Sequence, residues 1–99
     1  MIAAIHCLDD PARPGLRSKH YPEHLAYLDN AQDVHIVLCG PLLADDGETR
    51  IGSLLVVEAE DMDAVEAFSN NGPFRRNGVW GQVAIRQQII AKFNPPLSK

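Results

Sequence analysis

Long apolar runs are missing from this sequence of 99 residues. None approaches the roughly 18–20 residues that a membrane-spanning helix needs, so we expect no membrane partner. The opening stretch MIAAIHCLDD has no basic segment and turns acidic at once. This pattern argues against a secretory signal peptide. The sequence therefore predicts a cytoplasmic protein.

Basic residues and cysteines are also few. Nine Lys and Arg stand against 13 Asp and Glu, which gives a net charge of −4, and the basic residues are scattered. Nucleic acids bind concentrated positive surfaces, so we expect no nucleic-acid partner. The two cysteines, Cys7 and Cys39, each lie inside an apolar run. A disulfide framework needs more cysteines, so we expect two reduced and buried thiols.

What the sequence does contain is a series of apolar segments separated by turn signals. The apolar fraction of 45% is ordinary for a folded protein, and the length suits a single domain over residues 1–99. β-branched and apolar runs predict strands, whereas apolar residues three or four apart predict helices. The predicted order is strand 2–8, helix 17–30, strand 34–39, strand 51–59, helix 60–68 and strand 79–90.

Glycine and proline mark the predicted boundaries. The Gly-Pro pair at 40–41 is expected to end the second strand, and the Asp-Gly pair at 46–47 suits the tip of a hairpin. The stretch FSNNGPFRRNGVW, residues 68–80, combines dense turn chemistry with three aromatic rings. In the tail at 92–99, a Pro-Pro pair cannot extend a strand ladder, so we expect the tail to be frayed or bound to a partner.

The first helix carries an apolar face. Tyr21, His24, Leu25 and Leu28 recur at three- and four-residue intervals, which places them on one side of a helix. Proline is tolerated in the first turn, where its missing N–H has no partner within the helix. The helix is therefore expected either to start near Tyr21 or to start earlier and bend at Pro22.

The βαββαβ order predicts an α+β fold. Two β-α-β units joined by a hairpin form a four-stranded antiparallel sheet with both helices on one face, the ferredoxin-like plait. The third strand, IGSLLVVEA, is apolar on both faces, so the helix-free face of the sheet needs a cover. We expect a second copy of the chain to provide it, in a homodimer formed through the sheet faces.

His24 is the candidate catalytic residue. It lies near the helix start, where the positive end of the helix dipole lowers the pKa of an imidazole. A neutral imidazole can take up a proton near pH 7, although a packed structural histidine fits the same position. His20 and His24 are four residues apart, which is half of a zinc-site pattern. No third ligand cluster accompanies them, so we expect no metal.

Arginine provides candidate anion-binding groups. Arg17, Arg75 and Arg76 can hold a substrate carboxylate through forked hydrogen bonds. For Arg75 and Arg76 we expect solvated surface positions instead.

Four stretches of the chain resemble the YCII-related family, in order and without large gaps. They are RSKHYPEHLAYL, LCGPLL, DDGETRIGSLLVVEAED and AFSNNGPFRRNGVWGQVAIR. The resemblance implies a dimeric α+β barrel, in which two ferredoxin-like subunits face each other through their sheets. It also implies small-molecule chemistry without a cofactor. One branch of the family removes chloride from a chlorinated hydroxyhydroquinone.

The family's proposed catalytic pair is a histidine in the first helix and an aspartate in an Asp-Pro-aromatic motif. The histidine corresponds to His24, but the position before Pro73 is Gly72. A glycine supplies no carboxylate, and the neighbouring Asn71 offers only a neutral amide. Replacing a charged orienting partner by an amide costs orders of magnitude in rate in catalytic triads.

The candidate ligand-binding residues surround His24 in this interpretation. They are Arg17, Pro41, Ser53, Asn71, Pro73 and Phe74. Three hypotheses follow. The chain is an enzyme that uses His24 as a base for proton transfer or elimination on a cyclic or aromatic substrate, a binding protein that has lost turnover, or a structural dimer.

Overall fold

The computed structural model describes residues 1–96 of the chain. Its sheet has four antiparallel strands in the order β2-β3-β1-β4, and helices pack against one face. The predicted ferredoxin-like order is confirmed, with one additional short helix before the last strand. The elements are β1 (Ile2–Asp9), α1 (Leu16–Asp29), β2 (His35–Leu43), β3 (Arg50–Glu58), α2 (Met62–Asn71), α3 (Pro73–Arg76) and β4 (Trp80–Gln88).

Strand alternation decides which side chains meet the helices. Ile5 and Cys7 in β1 are fully buried, and directly opposite them in β3 lie Leu55 and Ser53, which are also buried. Residues opposite each other in an antiparallel pair point to the same face of the sheet. Ser53 therefore lies in the same layer as α1, where a polar side chain needs a partner.

The second strand is longer than the sequence predicts. β2 continues through the Gly-Pro pair at 40–41 and ends at Leu43. It is an edge strand bonded to β3 alone, and an edge strand tolerates proline where the missing N–H would face outward. The extension places Pro41 opposite Ser53.

The last strand is shorter than predicted. β4 ends at Gln88, and residues 89–96 form neither helix nor strand. Ile89 and Phe93 are exposed in this segment. Residues 97–99 of the predicted tail lie outside the described residues, so the state of the tail stays a prediction.

The first helix begins before Pro22 and continues through it. α1 starts at Leu16, after Gly15 adopts a left-handed backbone with φ of 89° that favours glycine. Of the four residues predicted on the inward face, His24 is buried, whereas Leu25 is 41% exposed in the described chain. The inward face is therefore narrower than the spacing suggests, and His24 is its most buried residue.

A close approach between β1 and β3 requires glycine at position 52. A Cβ atom added to Gly52 would lie 2.2 Å from the carbonyl oxygen of Cys7. This distance is too short for any side chain, so only glycine fits at position 52. The same glycine offers its own carbonyl oxygen to Arg17 of α1 at 2.8 Å. This contact fixes the first turns of α1 against the centre of the sheet.

The helix-free face of the sheet carries apolar side chains. Leu54 and Val56 alternate with the buried residues of β3 and are partly exposed, and Leu38 of β2 is 48% exposed. Among residues 1–96, no helix has both the length and the hydropathy to cross a membrane.

Candidate functional site

A cavity of about 150 Å³ lies between α1, β2 and β3, and His24 forms part of its wall. We call it the His24 cavity. The other lining residues include Arg17, Tyr21, Leu28, Cys39, Pro41 and Ser53. Most of this wall is apolar, with a small number of polar groups from Arg17, Ser53 and His24. That composition is typical of sites that bind small molecules.

Aromatic rings hold the imidazole of His24 in place. The rings of His24 and Phe74 stack with centroids 3.8 Å apart and an interplanar angle of 1°. Trp80 meets His24 edge-on at 6.2 Å. Phe74 is fully buried and belongs to α3, whose first residue is Pro73. The short helix α3 thus places the Phe74 ring against His24. Proline suits the first position of a helix, because the backbone N–H that it lacks would have no partner within the helix.

The environment of His24 keeps its imidazole neutral. Burial, and then the positive charge of Arg17, lower the pKa of His24 from 6.5 to about 4. No acidic side chain among residues 1–96 contributes to this shift. At pH 7 the ring therefore has one free nitrogen lone pair, and its charged form is poorly stabilised.

Arg17 connects α1 to two strands. Its Nε and Nη2 atoms donate to the two carboxylate oxygens of Asp9 at 2.7 and 2.9 Å. Nη2 also donates to the Oγ atom of Ser53 at 2.8 Å, and the guanidinium lies 4.9 Å from the ring centroid of Phe74. The forked pair with Asp9 fixes the guanidinium plane, so the positive charge near His24 is held in one position.

Asp9 is a site residue that the sequence analysis missed. It is the last residue of β1 and lies opposite Trp80 across a β-bulge. An acidic residue at the end of an apolar strand is the one signal that could have identified it. Its pairing with Arg17 depends on the path of the loop at residues 10–15, which joins β1 to α1. No sequence pattern predicts that path.

A larger cleft adjoins the His24 cavity. It has a volume of about 720 Å³ and shares Arg17 and Tyr21 with the cavity. At this cleft the guanidinium of Arg50 lies 5.5 Å from the ring centroid of Tyr21. Charged side chains, among them Asp9, Arg17 and Arg50, line part of this cleft.

Gly72 lies between α2 and α3, next to the His24 environment. It is buried, and a Cβ atom added there would lie 3.3 Å from Cε2 of Tyr27. The hydroxyl of Tyr27 donates to the carbonyl oxygen of Phe68 at 2.9 Å. The Tyr27 ring would therefore contact the Cβ atom of any larger residue at position 72.

The structure brings together most of the predicted residues. Arg17, Pro41 and Ser53 line the His24 cavity, and Phe74 stacks on His24. Asn71, in contrast, is exposed and lines a separate groove beside Tyr27. No hydrogen bond between described residues joins Asn71 to His24.

Two further expectations concern Cys39 and His20. Cys39 is exposed and lines the His24 cavity, so the expectation of two buried thiols is correct for Cys7 alone. The reason is its place on the edge strand, which only one neighbouring strand covers. His20 lies 3.2 Å from the carboxylate of Glu23. Residues 1–96 contain no group of three or more side chains that could hold a metal ion.

The family model of the YCII-related domain matches residues 1–89. A search of curated proteins found no match. Among solved structures, the chain is similar to the 5-chloro-2-hydroxyhydroquinone dehydrochlorinase TftG from Burkholderia phenoliruptrix AC1100, in complex with 2,5-dihydroxybenzoquinone. The TM-score is 0.78 and the identity 30%, over 90% of this chain and 94% of the dehydrochlorinase. The chain belongs to the YCII-related family.

Proposed function

We propose that the chain is a small-molecule enzyme in which His24 takes up a proton from a cyclic substrate bound in the His24 cavity. The observation that carries this proposal is a buried, neutral imidazole in the wall of a 150 Å³ cavity, beside a fixed guanidinium. An engineered apolar cavity of about 150 Å³ binds benzene, so this size suits a six-membered ring.

The proposed reaction class is elimination, by analogy with the dehydrochlorinase. In such a step a base removes one proton, and chloride leaves with the electron pair of its bond to carbon. Hydrogen and chlorine are lost together as HCl, and no oxidant or cofactor is needed. His24 accepts the proton through its free lone pair. Arg17 stabilises negative charge that develops on a substrate oxygen, and Ser53 holds the guanidinium in place.

A second candidate function is ligand binding without turnover. Gly72 supports it, because residue 72 gives His24 no anionic partner, and a base whose pKa is about 4 is a weak proton acceptor. The cavity and its polar groups serve binding equally well in this case. The two candidates differ in whether chloride is released.

The test measures chloride release from chlorinated hydroquinones. Small lactones form a second substrate set, for which the loss of the lactone is measured. We expect His24→Ala to lower the rate about 100-fold or more, which is the usual contribution of a general base. His20→Ala, on the same helix but outside the cavity, is the matched control and should keep the wild-type rate. Equal rates for His24→Ala and wild type would exclude His24 as the base. Saturable binding of 2,5-dihydroxybenzoquinone to wild type without any chloride release would favour the second candidate.

We also propose that two copies of the chain pair through the helix-free faces of their sheets. Leu38, Leu54 and Val56 support this, since they form an apolar surface that water covers in a single chain. Light scattering should give twice the chain mass of 10.9 kDa at micromolar concentration. Leu54→Glu should yield a monomer, whereas Ala67→Glu, on the exposed side of α2, should not. A monomeric wild-type protein would contradict the proposal.

A further inference from the structure

Cys39 brings a free thiol into the wall of the His24 cavity. It lies opposite Leu55 across the pair of β2 and β3, and Leu55 is buried on the helix-covered face of the sheet. Opposite residues of an antiparallel pair point to the same face, so the thiol points to the side of α1. Because β2 is an edge strand, the side chain of Cys39 stays exposed. A molecule that enters the cavity therefore meets this sulfur.

His24 provides a second, independent sign that this cavity binds a ligand. Its side chain is only 8% exposed, and no hydrogen bond among residues 1–96 reaches either nitrogen of its ring. Neither nitrogen is sealed inside the protein, since the sealed polar atoms that lack a partner in this part of the chain belong to Ser69 and Trp80. Buried polar groups in folded proteins are almost always paired. A ring-sized, mostly apolar cavity with an unpaired imidazole in its wall indicates a cyclic ligand with a polar substituent.

The proposed elimination forms an electrophile beside this thiol. Loss of HCl from a chlorinated hydroxyhydroquinone leaves the ring at the oxidation level of a quinone. A quinone carries C=C bonds conjugated to carbonyl groups, and nucleophiles add to these bonds. Cysteine sulfur is intrinsically very nucleophilic. This source of the quinone rests on the proposed function, whereas the reactivity of Cys39 towards an added quinone does not.

We propose that Cys39 is a covalent modification site for quinones that occupy the His24 cavity. The sulfur bonds to a ring carbon with one of its electron pairs, and the electrons of the ring C=C bond move to the carbonyl oxygen. The thiol proton passes to His24 and from there to that oxygen. The hydrogen on the attacked carbon then moves to the second carbonyl oxygen. The product is a hydroquinone thioether, and no further oxidant or reductant takes part.

The two cysteines differ in reactivity, and Cys7 serves as an internal control. Burial and then the charge of Asp29 raise the pKa of the Cys39 thiol above its ordinary value, so the thiol needs a base to take up its proton. The neutral imidazole of His24 lies in the same cavity wall and can act as that base. Cys7 is fully buried, and burial raises the pKa of its thiol to about 12. It does not line the cavity, so we expect it to stay unmodified.

The experiment adds para-benzoquinone to the wild-type protein without any chlorinated substrate and follows the protein mass. We expect one quinone to be added per chain, and peptide mapping should place it on Cys39. The rate of addition should level off as the quinone concentration rises, because the ring binds in the cavity before it reacts. Hydroquinone has the same ring but no electrophilic carbon, so it should occupy the cavity and slow the addition. An unmodified Cys39 would overturn the proposal, as would a rate that rises linearly with quinone concentration and ignores hydroquinone.

Variants separate a thiol in the cavity from a merely exposed one. Cys39→Ser should take up no quinone. His24→Gln should slow the addition about tenfold or more, since it removes the base. His20→Gln, on the same helix but outside the cavity, should keep the wild-type rate. Equal rates for the two histidine variants would contradict the proposed proton transfer.

The modification site and the proposed enzyme can fail separately. During turnover of a chlorinated hydroxyhydroquinone, wild type should lose its rate progressively as the adduct forms, and Cys39→Ser should retain a larger fraction of its own initial rate. Adduct formation from added quinone without chloride release supports the site and contradicts the enzyme. Chloride release by a protein whose Cys39 stays unmodified does the reverse.

Discussion

Replacing Gly72 by aspartate is expected to raise the pKa of His24 from about 4 to roughly 6 or above. Residue 72 precedes Pro73 and Phe74, and the Phe74 ring stacks on the imidazole. A carboxylate at this position stabilises the protonated form of His24, because an opposite charge within about 4–6 Å raises the pKa of an imidazole by one to three units. The change therefore works against the two effects that lower it, burial and the charge of Arg17.

The same substitution should increase the rate of chloride release about 100-fold or more over that of wild type. A carboxylate that orients a catalytic histidine and stabilises its charged form is worth about four orders of magnitude in a serine protease triad, which sets an upper limit. The pKa is measured by NMR titration of the His24 ring, and the rate by chloride release across pH 5–8.

Gly72→Asn is the matched control. Asparagine has the shape of aspartate without its charge, so it presses on Tyr27 equally and leaves the pKa of His24 low. Any loss of stability from crowding appears in both variants and cancels in the comparison. Equal pKa values for His24 in the two variants would show that a carboxylate at position 72 does not act on the imidazole.

The fold was predictable because its signals are local. The apolar runs of β1 and β3 and the turn residues between β2 and β3 depend on neighbours in the sequence. The end of β2 was not predictable in this way. A Gly-Pro pair ends a strand unless the strand lies at an edge of the sheet, and edge position is a property of the whole topology.

The site was predictable only in part. His24 followed from helical spacing and from the family resemblance, and Phe74 from its motif. Asn71 illustrates the limit, since it is adjacent to Gly72 in sequence but exposed at the end of α2, whereas Gly72 is buried. α2 ends at Asn71, and Gly72 already has an extended backbone with φ of −72° and ψ of 151°, so the chain changes direction between the two residues. Asp9 and Trp80 meet across two strands, and that pairing depends on a bulge with no sequence signal.

Acidification from pH 7 to pH 4 is expected to lower the free energy of unfolding by up to about 3 kcal/mol through His24 alone. The pKa of His24 is 6.5 in the unfolded chain and about 4 in the folded protein. Between these values the unfolded state binds a proton that the folded state does not, so stability falls as the pH falls. Each unit of difference between the two pKa values is worth about 1.4 kcal/mol of unfolding free energy. The protein keeps this part of its stability above pH 6.5 and loses it as the pH falls towards 4.

Urea denaturation at several pH values between 4 and 7 measures this dependence, and His24→Gln is the variant that isolates it. Glutamine cannot titrate, so the unfolding free energy of this variant should change less over the same range.

Titration of Asp46 does not contribute between pH 4 and pH 7. Hydrogen bonds from the Thr49 hydroxyl and from the backbone N–H groups of Glu48 and Thr49 lower its pKa from 3.8 to about 2, so it acts below pH 4. Gly72→Asp should also flatten the curve, because it brings the folded pKa of His24 closer to the unfolded one. Identical pH dependence in wild type and His24→Gln would mean that burial and Arg17 do not lower the pKa of His24 in the folded protein.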